Sequence, residues 1–314
     1  MGHRTLEKLF LFAIKVTEIA TMKPRTLNEK DLRALRIFCV VAQAGGFSAA
    51  EKSLNMTKAT ISRQIKSIEE TLGTQLCIRG PKGFELTTAG RSALIYAREA
   101  LGALDRIFPA MDASRGVISG PLAVGITDNV ISLAESKLQQ ALHALRLRAP
   151  LVDLSISVMP ASQLTQALLD RRLDIVIRGV MDYQKTPSLD YVQLYNESHS
   201  LYTLAEGSDY AYQLPLVYRA QQPFVEDALS RLFFSRGPEA MGIEAVAMLI
   251  SGGGVVGILP DHYAELLRAR FSLVKVDESI SWTVTHYAIT HAAYPVSPAA
   301  EEMINELRRA QHFI

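Results

Sequence analysis

Apolar positions in the first third of the chain recur at helical spacing in three stretches. Leu32, Leu35, Phe38 and Ala42 make one stripe, closed by Gly45-Gly46. Ile61, Ile65, Ile68 and Leu72 make a second, at steps of four, three and four. Between them lies a short segment with its own signals. Ser48 followed by Glu51 is a capping box, which predicts a helix from Ala49 to about Leu54. Asn55 tolerates the left-handed backbone of a sharp turn, and Thr57 is a good N-cap for the next helix. Residues 73–88 hold two short runs around Gly80-Pro81-Lys82-Gly83, which predicts a β-hairpin. From Thr88 to about Ala110, Leu94, Ala97, Leu101, Leu104 and Phe108 follow the three–four rhythm of a coiled-coil seam. The alternative use of that stripe is packing onto its own domain. Pro109 and the stretch 116–121 end the helix and form a hinge.

After residue 121 the period changes. Strands are expected at 122–126, 152–158 and 174–177, alternating with helices at 132–148 and 162–171. That βαβαβ order implies a parallel sheet with right-handed crossovers. A second set follows: strands near 191–194, 200–204 and 214–218, helices at 223–233 and 239–250, and a strand at 255–259. Pro260 and Asp261 start another helix, 282–290 reads as a strand, and Ser297-Pro298 cap a last helix carrying Met303, Ile304, Leu307 and Ala310. A chain of 314 residues is long enough for two or three cores.

Charge sharpens the picture at the N-terminal end. The formal net charge is +1, yet residues 29–90 carry about +3 and the remainder is slightly acidic. Lys58, Ser62, Arg63 and Lys66 lie off the isoleucine stripe, with no acid between 58 and 68. A short helix, a tight turn and a helix with one greasy and one basic face is the pattern of a helix-turn-helix, whose second helix enters the major groove. Two ordinary surface helices are the competing reading. The cysteines are two, Cys39 and Cys77, which is no disulfide framework and suits a reducing cytoplasm. Cys39 fits a small core residue better than a reactive thiol. No apolar run has bilayer-spanning length. Residues 1–28 lack the unbroken apolar core of a signal peptide, since Lys15, Glu18 and Lys23 interrupt it. They read as an extension, a translated leader before Met22, with a short helix lying on the next domain as the alternative.

Helix, helix-turn-helix, hairpin and long helix, with "FSAAEKSLNMTKATISRQIKSIEETLG" and "FELTTAG", closely resemble the N-terminal domain of the LysR-type transcriptional regulators. "LLDRRLDIVI" and "AVAMLISGGGVVGILP" resemble the effector domain of that family more loosely. The resemblance implies a winged helix-turn-helix over 29–87, a linker (dimerisation) helix and hinge over 88–119, and a two-lobed α/β effector domain over 120–314. That domain is similar to periplasmic solute-binding proteins, with lobe I at 120–190 and 290–314 and lobe II at 191–289. It also implies an operator in double-stranded DNA, a small-molecule effector, homodimers or homotetramers, and RNA polymerase as a candidate partner, in the cytoplasm. Dimerisation would use Leu94, Ala97, Leu101, Leu104 and Phe108. DNA would be met by Thr57, Lys58, Ser62, Arg63 and Lys66, with Lys82 on the wing. Lys58 stands where the family usually has Gln or Ser, and a lysine reaches phosphate or guanine but cannot pair with adenine in the bidentate way of glutamine.

Ligands of open α/β sheets bind beyond the carboxyl ends of the strands. Those ends bring Thr127 and Asn129, Ser162 and Gln163, and Arg178 together. Hydroxyls and free N–H groups at helix starts beside an arginine favour an anion, most simply a carboxylate, and the resemblance points to small organic acids. Ser162 could equally be a plain N-cap, and Arg178 half of a surface salt bridge. Ser198 and His199 join the site by the looser alignment alone. Gly252-Gly253-Gly254 lacks the Lys-Ser/Thr of a phosphate loop and reads as a tight turn. The seven histidines show no metal spacing, and no nucleophile or acid–base constellation is visible, so neither a cofactor nor an enzyme is expected. A solute-binding protein with an N-terminal oligomerisation domain is the alternative.

Overall fold

The computed structural model describes residues 26–80, 83–220 and 222–312 and divides into two compact units, one ending at Leu101 and one beginning at Gly102. In the first unit, α1 (Glu29–Ala44) starts at a capping box: Asn28 Oδ1 accepts from the Lys30 and Asp31 amides, and Asp31 Oδ2 accepts from the Asn28 amide. The other Asp31 oxygen accepts from Thr71 Oγ1 at 2.9 Å, which ties α1 to α3 and satisfies a buried carboxylate. Helix α2 (Phe47–Leu54) begins two residues before the expected Ala49, with Gly46 as N-cap. Phe47 is buried edge-on against Phe84, and that contact outweighs the local capping signal of Ser48. Glu51 instead accepts from the Lys58 amide at 2.7 Å, at the start of α3 (Lys58–Leu72). Asn55 is left-handed at φ 48°, as the turn requires.

Strands β1 (Cys77–Gly80) and β2 (Gly83–Leu86) pair antiparallel as the wing. Lys82, at its turn, lies outside the described residues, as do residues 1–25 of the N-terminal extension. Thr87 Oγ1 accepts from the Gly90 amide and caps α4 (Thr88–Asp105). A Cβ on Gly90 would lie 1.9 Å from the Leu76 carbonyl oxygen, so the helix can seat against the wing only with glycine there. Cys39 packs half-buried on this unit's core, and burial pushes its thiol up to about 11.

The seam expected along the linker helix is corrected in two ways. Ala97 and Leu101 are buried in the unit's own core with Ile61, Ile65 and Ile68, and Leu94 packs beside them. A three–four repeat specifies a buried stripe but not whether a second copy or the same chain covers it. The large apolar side chains that α4 leaves exposed are Ile95, Tyr96 and Leu104, followed by Ile107, Phe108 and Met111 in α5. The helix also ends at Asp105 rather than near 110. Pro109 falls in the first turn of a separate short helix, α5 (Ile107–Ala113), where its missing N–H costs nothing.

In the second unit, β3 (Ser119–Ile126), β4 (Leu151–Val158) and β5 (Ile175–Val180) form the parallel core of a seven-stranded sheet. Helices α6 (Leu138–Arg148) and α11 (Pro298–His312) cover one face through Leu145, Met303 and Leu307, and α7 (Ala161–Leu169) covers the other through Leu164 and Leu168. The helix expected over 132–148 is α-helical only from Leu138, because Lys137 takes a left-handed conformation after two 3₁₀ turns. The two strands expected at 191–194 and 200–204 are one, β6 (Leu189–Leu204). It pairs along Leu189–Ser200 with β11 (Ser281–His291), which continues lobe I. Its last residues pair with β9 (Gly257–Pro260) and β10 (Leu273–Lys275) of lobe II. The change of partners at His199–Ser200 marks where the chain crosses between lobes. Lobe II adds β7 (Leu216–Tyr218), α8 (Pro223–Arg231), β8 (Arg236–Glu239), α9 (Ile243–Ser251) and α10 (Asp261–Arg268). The helix expected from 239 therefore starts at Ile243, behind a short edge strand, and Gly253 and Gly254 make the expected turn at positive φ. Among the described residues no single helix is long and apolar enough to cross a membrane.

Candidate functional site

Two surfaces carry chemistry. The first is the outer face of α3. Thr57 Oγ1 accepts from the Thr60 amide at 3.3 Å, so the helix N-terminus is fixed by a side chain that is itself exposed. Ile61, Ile65 and Ile68 are fully buried, which anchors the helix by one face and leaves the other free. Lys58, Arg63 and Lys66 are exposed on that free side and Ser62 is half-buried. Arg63 lies 3.4 Å from Thr60 Oγ1, and Lys66 faces Glu70 at 3.8 Å in an exposed pair of little energetic weight. The face thus presents three cations and hydroxyls at the N-terminal half of a rigidly held helix, a geometry suited to a nucleic-acid groove.

The second is a cleft between the two lobes, a cavity of about 140 Å³. Of the residues expected there, Thr127, Arg178 and His199 line it. Asn129, Ser162, Gln163 and Ser198 are not among its lining. Ser162 and Gln163 are exposed in the first turn of α7, whose N-cap is Pro160, so Ser162 is not its N-cap. Ser198 is exposed because it points to the opposite face of β6 from Glu197 and His199. Asn129 is left-handed, and its Nδ2 is buried without a partner.

Arg178 is 9 % exposed and forms no salt bridge among the described residues. Its Nη1 donates to the Gly179 carbonyl at 3.0 Å, and its Nε is buried with no partner. Burial lowers its proton affinity, opposed only by Tyr191. Arg219, from the loop after β7, lines the same cavity; burial lowers its proton affinity too, but Asp128 and Glu197 act against that shift.

The largest surprise is Glu197. Its carboxylate accepts from His262 Nε2 at 2.8 Å on one oxygen and faces His286 Nε2 at 3.1 Å and His199 Nε2 at 3.4 Å on the other. Burial opposes its charge, yet these imidazoles hold the carboxyl far below the usual carboxylate range. His199 is the converse: burial drives it down to about 4 despite the neighbouring carboxylate. His262 Nδ1 meets Ser132 Oγ at 2.9 Å, so a chain of contacts runs from lobe I through lobe II to the crossing strand. Asp128 Oδ2 accepts from the Ile243 amide at 3.1 Å, a second link from lobe I to the start of α9 in lobe II. Sequence reasoning missed Asp128, Glu197, Arg219, His262 and His286. Period-two alternation puts Glu197 and His199 on one face of β6 and could have paired them. The partners from β11 and α10 lie 89 and 65 residues away, and no local signal joins them. Among the described residues no group of histidines, cysteines and acids has metal-holding geometry.

Comparison with known proteins matches these two surfaces to two modules. Residues 32–91 match the model "bacterial regulatory helix-turn-helix protein, lysR family", and residues 115–311 match "LysR substrate binding domain". The chain is 30 % identical over 250 residues to the HTH-type transcriptional activator BauR of Pseudomonas aeruginosa, covering 76 % of this chain and 81 % of that protein. It is 28 % identical over 294 residues to the SDS degradation transcriptional activation protein of a Pseudomonas species, covering 87 % and 94 %. The fold is similar to full-length CbnR solved with its target DNA, at TM-score 0.60 and 22 % identity, covering 89 % of this chain and 99 % of that one.

Proposed function

The chain belongs to the LysR-type family of DNA-binding transcriptional regulators with an effector-binding domain, a family of regulators and not of enzymes, and from that premise we propose that its effector is a small carboxylate held by Arg178. The observation that carries this reading is the lone guanidinium. A buried charge without a counter-ion is costly, and among the described residues no acid pairs directly with Arg178. A carboxylate is the bidentate partner a guanidinium fits best. Thr127, at the end of β3 in the same cavity, offers a hydroxyl to that anion.

On the DNA side, the reading is that α3 enters the major groove in the cytoplasm, with Thr57, Lys58, Ser62 and Arg63 at the base edges and Lys66 on phosphate. Lys82 is proposed as a wing contact on its position in the motif alone. Self-association as a homodimer or homotetramer would use the apolar side chains that α4 and α5 leave exposed, and it would set two recognition helices on one operator. A melting-shift screen of small carboxylates against the full-length protein tests the effector reading, with operator affinity as the second readout. A carboxylate that stabilises the wild type, changes its operator affinity and has neither effect on Arg178→Ala supports it. An effector response that survives both Arg178→Ala and Thr127→Val refutes it.

A further inference from the structure

The N-terminal half of α3 presents a restricted set of groups. Its exposed residues are Lys58, Ala59 and Arg63. Lysine and arginine carry donors and no acceptor, and the alanine side chain has neither. The hydroxyls beside them are engaged or indifferent. Thr57 Oγ1 accepts from the Thr60 amide and meets Thr60 Oγ1 at 2.9 Å. Ser62 is half-buried, and a hydroxyl suits any base edge because it both donates and accepts. The single amide side chain of the helix, Gln64, is half-buried as well. No acid stands between residues 58 and 68. Glu69 is turned to the Leu76 and Cys77 amides, at 2.8 and 3.3 Å, and Glu51 to the Lys58 amide, at 2.7 Å. What this end of the helix offers outward is therefore two donor-only cations.

We infer that each operator half-site is read through two guanines, one met by Lys58 and one by Arg63. The inference rests on the reading of α3 as the helix in the major groove and adds the identity of the bases. In that groove guanine alone shows two acceptors side by side, N7 and O6. Adenine sets a donor beside its acceptor, thymine a methyl, and cytosine offers a donor that nothing here accepts. Lys58 is the first residue of α3, and no acid stands in that turn. A cation there opposes the helix dipole, which favours aspartate or glutamate, so local stability does not account for it and a partner rich in acceptors does. Among the described residues its ammonium forms no hydrogen bond or ion pair, and the Arg63 guanidinium has only the long contact to Thr60 Oγ1 at 3.4 Å. The two side chains are five residues apart, about 7.5 Å along the helix axis against about 3.4 Å per base pair, so they serve different base pairs. Ala59 between them carries only a methyl, which lets the helix approach the base edges closely.

The test is selection of randomised duplexes by the full-length protein, by Lys58→Gln and by Arg63→Gln, followed by competition between defined duplexes. Lys58→Gln keeps the amide that Glu51 holds and replaces a donor-only group by one that donates and accepts, the partner of adenine. The wild type should select half-sites with guanine fixed at two positions, counted on either strand. Changing either G·C pair to A·T should weaken binding about ten-fold or more. Lys58→Gln should lose the guanine at one position, with adenine gaining there, and keep it at the other; Arg63→Gln should do the reverse. A Lys58→Gln protein that still selects the wild-type half-site, with every duplex weakened alike and the log-log salt slope lower by about 0.9 per protomer, makes Lys58 a phosphate contact. That result, or a base other than guanine at the position that Lys58→Gln changes, overturns the two-guanine reading and leaves α3 in the groove. A selection that neither variant alters in sequence or affinity overturns the placement of α3 itself. Equal melting temperatures of the three proteins without DNA report that the variants are folded.

Discussion

Replacing Arg178 by methionine should stabilise the unliganded effector domain while abolishing its response to effector. The side chain is 9 % exposed and, among the described residues, has no acid partner and leaves Nε unbonded. Desolvating a lone ion costs several kcal/mol even after relaxation. The single charge-assisted bond to the Gly179 carbonyl returns about 1.5–3 kcal/mol of that. Methionine has similar length, no charge and a flexible apolar stem, so the difference should appear as a gain of about 1–3 kcal/mol. For a domain of this size that raises the midpoint of melting by roughly 2–4 °C per kcal/mol. Trp282 is the only tryptophan of the chain and lies in the effector domain, where its indole donates to Asp227 at 2.8 Å. Urea unfolding followed by its fluorescence therefore reads this domain alone. A loss of 1 kcal/mol or more in Arg178→Met would show that the guanidinium is a structural element already satisfied within the fold, and the argument for a bound anion would fall with it.

Acid should weaken the same domain. His199 has an ordinary value of 6.5 and is held at about 4 in the fold, so the folded state binds fewer protons than the unfolded one. Its contribution is complete above pH 6.5 and is lost as the pH falls toward 4, about 2 kcal/mol by pH 5. Glu197, held down by its imidazoles, has the same sign at still lower pH; a Trp282 urea midpoint flat from pH 7 to 5 would contradict this. Gly90→Ala should cost the N-terminal domain about 1–3 kcal/mol or more, because its Cβ meets the Leu76 carbonyl oxygen at 1.9 Å. Calorimetry that shows the variant melting like the wild type would mean that α4 seats differently against the wing. Tyr96→Glu, on the side of α4 that its own core leaves open, should shift sedimentation toward smaller species, and Leu101→Glu should unfold the domain instead. Unchanged assembly in Tyr96→Glu would move the interface elsewhere.

What could be read from the chain divides by range. Helix α3 was legible because Ile61, Ile65 and Ile68 repeat at the helical period, Asn55 carries the stop signal of α2 and Thr57 the start signal of α3. The start of α2 was not, since Phe47 gains more from Phe84, thirty-seven residues on, than Ser48 gains from a cap. Strand β6 was divided in two because the polar stretch around Asn196–Ser198 has the composition of a turn, whereas in the fold Glu197 is polar because it serves three imidazoles. Of the linker stripe, Ala97 and Leu101 are buried in the chain's own core, whereas Leu104 and Phe108 stay exposed, because a three–four repeat does not say which cover each position meets. In the cleft, strand ends led to Thr127 and Arg178, since the rule for parallel sheets needs only the strand order. Asp128, Arg219 and the Glu197 cluster depend on the meeting of β3, β6, β11, α9 and α10, and that meeting is written in no single segment.

Sequence-specific binding of DNA by this protein is tested by sequencing the genomic DNA fragments that the folded full-length protein retains, beside those retained by Arg63→Ala. The wild type should strongly enrich a few fragments that share an interrupted palindrome, with half-sites about one helical turn or a multiple of it apart. Arg63→Ala should lose that enrichment while keeping weak binding that falls steeply with salt. Retention of fragments in proportion to their abundance, alike for wild type and Arg63→Ala, would show that α3 does not read sequence.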